Sequence, residues 1–271
     1  MKISDKTYLE YVKILKEELV PAMGCTEPIA LAYAAAKAKE VLGTLPTHCC
    51  VEVSGNIIKN AKSVVVPNTN GLKGIGASIA AGIIAGNPSK ILEVLSDIKE
   101  KDKQLIKEYQ ENNDIQVIRY DGDLVFYIAV VLFHGNTYAK VVIENYHTNI
   151  VLIEKNGDVL FQAGKESKEN TGVADRSLLN VKDIVAFSDI VDPVDIADVV
   201  GRQIKYNSAI AAEGMTGNWG ARIGNILLKT YGDDIKVRAR AAAAAGSDAR
   251  MGGCENPVII LSGSGNQSIT A

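Results

Sequence analysis

The chain has 271 residues, 47% of them apolar, which is ample material for one large core or two intertwined ones. Its 29 basic and 32 acidic side chains leave a net charge of -3, so no long-range field favours a polyanion and a nucleic-acid partner is not expected. The N-terminus has no basic region followed by an apolar run, and the most apolar stretch, Gly74 to Asn87, is shorter than the roughly 20 residues a bilayer span requires; a cytoplasmic chain without membrane association is the expectation. Four cysteines in a chain this long suggest reduced or metal-bound thiols, not a disulfide framework.

Tyr8, Val12, Leu15 and Leu19 form the stripe of an amphipathic first helix, with Ser4 as its cap and Pro21 beyond its end. A second, alanine-rich helix starts at Thr26, with Glu27 and Pro28 in its first turn, and reaches about Leu42. Cys25 thus stands at a helix N-terminus, where the positive end of the helix would lower a thiol pKa. His48–Val53 and Ser63–Val66 read as short strands flanking Gly55-Asn56. Gly74, Ser78, Gly82 and Gly86 then recur four apart, a helix face bare enough for another helix or a ligand to approach closely. Polar helices are expected over Lys90–Ile98 and Lys103–Glu111.

From Ile115 the pattern turns to β. Strands at Ile115–Arg119, Leu124–Phe133, Tyr138–Glu144, Ile150–Glu154 and Val159–Gln162, with turns at Gly135-Asn136 and Asn156-Gly157, predict an antiparallel meander to about Ala163. Lys165–Val173 reads as a polar linker. Asp192-Pro193 opens a helix to about Ser208, and Arg238 to Ala245 is a tract of high helix propensity expected to pack tightly. The resulting fold class is α+β: a largely helical body over 1–114 and 164–271, with an inserted antiparallel β subdomain at 115–163.

Several residues could carry chemistry. Cys25 suits a nucleophile or a soft metal ligand, against the alternative of a small buried hydrophobe, and Cys254, among glycines, is a further candidate ligand or a structural cysteine at a turn. Cys49 and Cys50 are neighbours on a strand, face opposite ways and are read as core. Ser262-Gly263-Ser264-Gly265-Asn266 is dense in backbone N–H donors and hydroxyls and could form an anion nest, with Ser54-Gly55-Asn56 a smaller version of it. Arg250 could hold a carboxylate in a bidentate pair, or simply close a salt bridge at a helix end. His48, His134 and His147 lack metal-ligand spacing.

Pro21 to Ala30 with its Gly-Cys-Thr-Glu-Pro block, Ser54 to Asn60, Gly74-Ile75-Gly76, Ser247 to Cys254 and Ser262 to Gln267 together resemble the L-cysteine desulfidase family, related to the α chain of iron–sulfur L-serine dehydratases. The resemblance implies a lyase that converts L-cysteine and water to sulfide, ammonia and pyruvate with an oxygen-sensitive [4Fe–4S] cluster. It makes Cys25 a cluster ligand, with Cys254 a second candidate. Arg250, Ser262, Ser264, Asn266 and Asn56 are candidates for the substrate carboxylate, and Glu27 is a candidate base. Family members normally continue beyond the glycine loop, so the chain is expected to be a truncated product or one subunit of a split enzyme, with a homo-oligomer or a downstream partner chain supplying the missing cluster cysteines. L-serine dehydration, a pyridoxal-phosphate lyase using Lys59, and an inactive, partner-requiring subunit are the competing expectations.

Overall fold

In the computed structural model, residues 4–163 and 174–271 are described. Helix α1 (Asp5–Glu18) starts where the Ser4 hydroxyl accepts from the Thr7 amide at 3.1 Å. A three-residue strand β1 (Pro21–Met23) leads through Gly24 and Cys25 into α2 (Thr26–Leu42). Helix α2 is apolar around most of its circumference and correspondingly is buried on several sides, between the sheet and α4. Strand β2 (His48–Val53) alternates buried and half-exposed residues, with Cys49 inward and Cys50 outward.

After β2 come α3 (Gly55–Ala61), α4 (Gly74–Ala85), a 3-10 segment (Pro88–Glu93) and α5 (Glu100–Asn112). The bare face of α4 is used as its spacing suggests: a Cβ on Gly82 would lie 2.3 Å from the Ala32 carbonyl oxygen, so α2 and α4 meet backbone to backbone. Strands β3 (Asp114–Arg119), β4 (Tyr127–His134), β5 (Thr137–Glu144), β6 (Ile150–Lys155) and β7 (Asp158–Gln162) complete a six-stranded sheet of order β3-β2-β4-β5-β6-β7. Beyond a short 3-10 turn at Arg176–Leu178 lie α6 (Val181–Ile190), α7 (Pro193–Thr216), α8 (Ile223–Tyr231) and α9 (Ile235–Met251). Strand β8 (Pro257–Ile259) and α10 (Gly265–Thr270) follow, giving the α+β class expected from the pattern.

The structure corrects four local expectations. The sheet is an antiparallel meander only from β4 to β7; β3 pairs parallel with β2, and β2 pairs antiparallel with β4. A parallel pair needs a long crossover, here supplied by α3 to α5, whereas nearness in sequence favours a hairpin. Ser63–Val66 forms no strand beyond a single bridge between Val65 and Lys73, because Pro67 lacks an N–H and Asn68 and Asn70 turn the chain with φ of 58° and 54°. Lys90–Ile98 is not an α-helix, since Ile91 adopts φ 51° inside a 3-10 segment. Gly55-Asn56 is not a turn between strands but the first turn of α3. The linker expected at Lys165–Val173 falls outside the described residues.

Candidate active site

Strand β1 pairs antiparallel with β8, matching Ala22 to Val258. That pairing sets two short segments side by side: Cys25 at the start of α2, and the Leu261–Ser264 turn at the start of α10. The C-terminal turn of α9 brings Arg250 between them. Together with α3 they enclose a cavity of about 220 Å³ lined by Cys25, Thr26, Glu27, Asn60, Arg250, Met251, Gly263, Ser264 and Asn266.

The polar contacts in this cavity are specific. Cys25 caps α2 with its backbone, leaving its thiol free to donate to Glu27 Oε2 at 3.1 Å. Asn60 Nδ2 donates to Glu27 Oε1 at 3.0 Å. Thr26 Oγ1 lies 3.1 Å from the Gly263 carbonyl oxygen and 3.2 Å from Glu27 Oε2, so its single proton serves one acceptor or the other. Arg250 is only 4% exposed, donates to Asn266 Oδ1 at 3.0 Å, and leaves its Nε without a partner among the described residues. Gly265 permits this position, because a Cβ there would lie 2.3 Å from Arg250 Nε.

Burial opposes the charged forms of these groups, and the neighbours decide the outcome. Burial and the adjacent Glu27 carboxylate push the Cys25 thiol up to about 12, with Arg250 pulling the other way. The lowered thiol pKa expected at a helix N-terminus is therefore not found: the thiol is sealed from water beside a negative charge, and the helix end does not offset both effects. Burial also pushes the Glu27 carboxyl up, but hydrogen bonds from Cys25, its own backbone and Asn60, together with nearby His147, outweigh it and leave Glu27 below the usual range. Burial lowers Arg250, while Cys25 and Glu27 pull it back toward the charged form.

Of the residues singled out in the sequence, Cys25, Glu27, Arg250, Ser264 and Asn266 meet at the cavity. Ser262 is exposed, with φ 47°, and directs the turn without lining the space. Asn56 is exposed on the first turn of α3; Asn60, one turn further, reaches the cavity in its place. Lys59, also exposed, does not line it. Asn60 does not stand out individually in the sequence, although its i+4 spacing from Asn56 on a helix is a signal that points to it. Sequence spacing gives no such signal for His147. It sits in the β5–β6 turn, its Cε1 3.0 Å from where a Cβ on Gly263 would be, with its buried Nε2 lacking a partner among the described residues.

A [4Fe–4S] cluster holding one iron free for substrate takes three protein thiolates. Among the described residues, no group of three or more His, Cys, Asp or Glu side chains is placed to hold a metal, and Cys25 is the only cysteine lining the cavity. Cys49 and Cys50 lie on β2, and buried Cys254 follows α9 outside the lining. These residues do not by themselves fit the cluster. Among the described residues, no helix is long and apolar enough to cross a membrane.

No solved structure matches the chain. A UPF0597 protein of Desulfitobacterium hafniense is 56% identical over 271 residues, covering 100% of this chain and 63% of the relative. UPF0597 proteins of Lachnoclostridium phytofermentans and Treponema denticola are 48% and 43% identical, covering 97% and 99% of this chain and 63% and 64% of their own lengths. The chain thus spans a little under two thirds of the curated relatives it matches. The family model described as serine dehydratase alpha chain matches residues 89–271, a stretch that includes α9, Arg250 and the glycine loop, and the chain belongs to that family.

Proposed function

We propose that the cavity binds the zwitterion of a small α-amino acid and serves β-elimination, with L-cysteine giving sulfide, ammonia and pyruvate. The carrying observation is that one small cavity presents a buried guanidinium, Arg250, and a carboxylate, Glu27, whose hydrogen-bond donors favour its ionised form. Arg250 takes the substrate carboxylate, supported by the Asn266 amide and the Ser264 hydroxyl. Glu27 has acceptor capacity left after Cys25 and Asn60 and takes the ammonium. A carboxylate surrounded by donors is a weak proton acceptor, so this role suits Glu27 better than removal of the Cα proton.

In the net reaction the Cα proton and the Cβ sulfur of cysteine leave as hydrogen sulfide, and the resulting aminoacrylate tautomerises to its imine and adds water to give pyruvate and ammonia. Loss of water from L-serine follows the same pattern and fits the family description. The [4Fe–4S] cluster implied by the sequence resemblance would need two further thiolates from polypeptide outside these residues, and a partner chain or longer chain is the proposed source. A pyridoxal-phosphate lyase is not favoured, because Lys59 is exposed and away from the cavity.

The test separates binding from turnover. Calorimetry on the 271-residue protein should show binding of L-cysteine and L-serine that weakens by at least about tenfold in Arg250→Gln, the scale of one lost charge-assisted pair. Sulfide release after anaerobic reconstitution with iron and sulfide is expected only when polypeptide supplying two further thiolates is added. Unchanged binding in Arg250→Gln would remove the proposed carboxylate site.

A further inference from the structure

The three histidines have different surroundings. His134 is exposed, with Nδ1 2.9 Å from the Leu45 carbonyl oxygen, and His48 Nδ1 lies 3.3 Å from the exposed Asp114 carboxylate. His147 instead packs against the lining of the cavity. Its ring meets Phe126 edge-on at 4.5 Å, and a Cβ on Gly263 would lie 3.0 Å from its Cε1 and 3.2 Å from its Nδ1. Gly263 itself lines the cavity, so a residue with no side chain stands beside the imidazole. Two charged groups act on the ring, Glu27 from α2 and Arg250 from α9, while Phe126 and Gly263 bring no charge. Both charged groups line the cavity.

His147 Nε2 is buried and has no hydrogen-bond partner among the described residues. With the ring proton on Nδ1, the Nε2 lone pair is where an added proton goes. Burial opposes that charge and holds His147 below the usual histidine range; Glu27 favours the charge, and Arg250, the weaker of the two neighbours, opposes it. Glu27 is also the carboxylate that takes the substrate ammonium in the reading above, on which this inference rests. We propose that His147 is a positioning residue for Glu27, and that a proton on Nε2 competes with the ammonium of the amino acid for that carboxylate. The neutral imidazole leaves Glu27 to the ligand, whereas the imidazolium takes its charge.

A bound amino acid offsets Glu27 with its ammonium and Arg250 with its carboxylate. Since Glu27 weighs more at His147, the net effect of L-alanine is to make His147 harder to protonate; propionate offsets Arg250 alone and does not. Coupling is reciprocal, so L-alanine binding weakens as the pH falls through the His147 transition. Cys25, pushed up to about 12, keeps its proton throughout.

Proton NMR of the 271-residue protein tests this through three histidine Cε1–H signals, with His147→Gln identifying the relevant one. L-alanine should lower the titration midpoint of His147 and leave those of His48 and His134 in place, and propionate should not lower it. By calorimetry, L-alanine affinity should fall at least about fivefold on acidification through that midpoint, and the fall should be absent in His147→Gln. A His147 midpoint that L-alanine leaves unmoved or raises, or a fall that persists in His147→Gln, overturns the proposal. The NMR arm uses the unaltered protein and stands even if His147→Gln does not fold. Absence of L-alanine binding at every pH would remove the amino-acid reading together with this inference, whereas binding with an unmoved His147 removes this inference alone.

Discussion

Replacing Gly265 by alanine inserts a methyl group 2.3 Å from Arg250 Nε, against the guanidinium and not against backbone. The fold can yield by moving that side chain, so Gly265→Ala should shift Tm by only a few degrees yet weaken amino-acid binding about tenfold, as seen by calorimetry beside a thermal melt. A large fall in Tm would mean that Arg250 is locked structurally. Glu27 makes a complementary prediction. Glu27→Gln should weaken L-alanine binding about tenfold while leaving propionate, which has no ammonium, unchanged; equal losses for both would place Glu27 outside ammonium recognition. At this scale the sequence points to several residues that line the cavity but not to their protonation. Cys25 at a helix start and Glu27 two residues on are legible, whereas the burial that raises the thiol is not, because it depends on Arg250 and the Gly263 turn more than 200 residues away.

Among the elements, α2 and α4 depend most on small residues. Gly82→Ala would drive a methyl group into the Ala32 backbone, which cannot rotate away, so a destabilisation of about 1–3 kcal/mol is expected, measured by urea unfolding. An unchanged midpoint would show that the helices can separate without cost. The four-residue recurrence of Gly74, Ser78, Gly82 and Gly86 makes this close approach readable from spacing alone. The hairpins β4–β5 and β6–β7 are readable for a related reason, since their turns carry Gly135-Asn136 and Asn156-Gly157 beside alternating strands. Helices α6 and α8 escape notice in the sequence, though Asn180 caps α6 and Ile223, Ile226 and Leu227 have helical spacing, because each is short. Strands β1 and β8 have three residues each and become strands only through one another.

At the scale of the molecule, one sheet, the α2–α4 pair and the α7–α9 helices surround cores that need no distant closure to begin forming. The β1–β8 pairing differs, because Ala22 and Val258 are 236 positions apart. Each doubling of a closed loop costs about 0.6 kcal/mol, so joining these strands first would cost about 3 kcal/mol more than closing a ten-residue loop. The consequence concerns the order of folding: hairpins and local helix pairs should form early, and the cavity should assemble last. The single tryptophan, Trp219, packs at Gly252 and donates to Glu213 Oε1, so it reports on the local α7–α9 packing and not on this closure. On refolding from denaturant, Trp219 fluorescence should recover with far-ultraviolet dichroism and ahead of amino-acid binding at the cavity, and binding that returns as early as the dichroism would contradict that order. A chain interrupted before its last turn closes could thus retain most of its secondary structure while having no cavity at all.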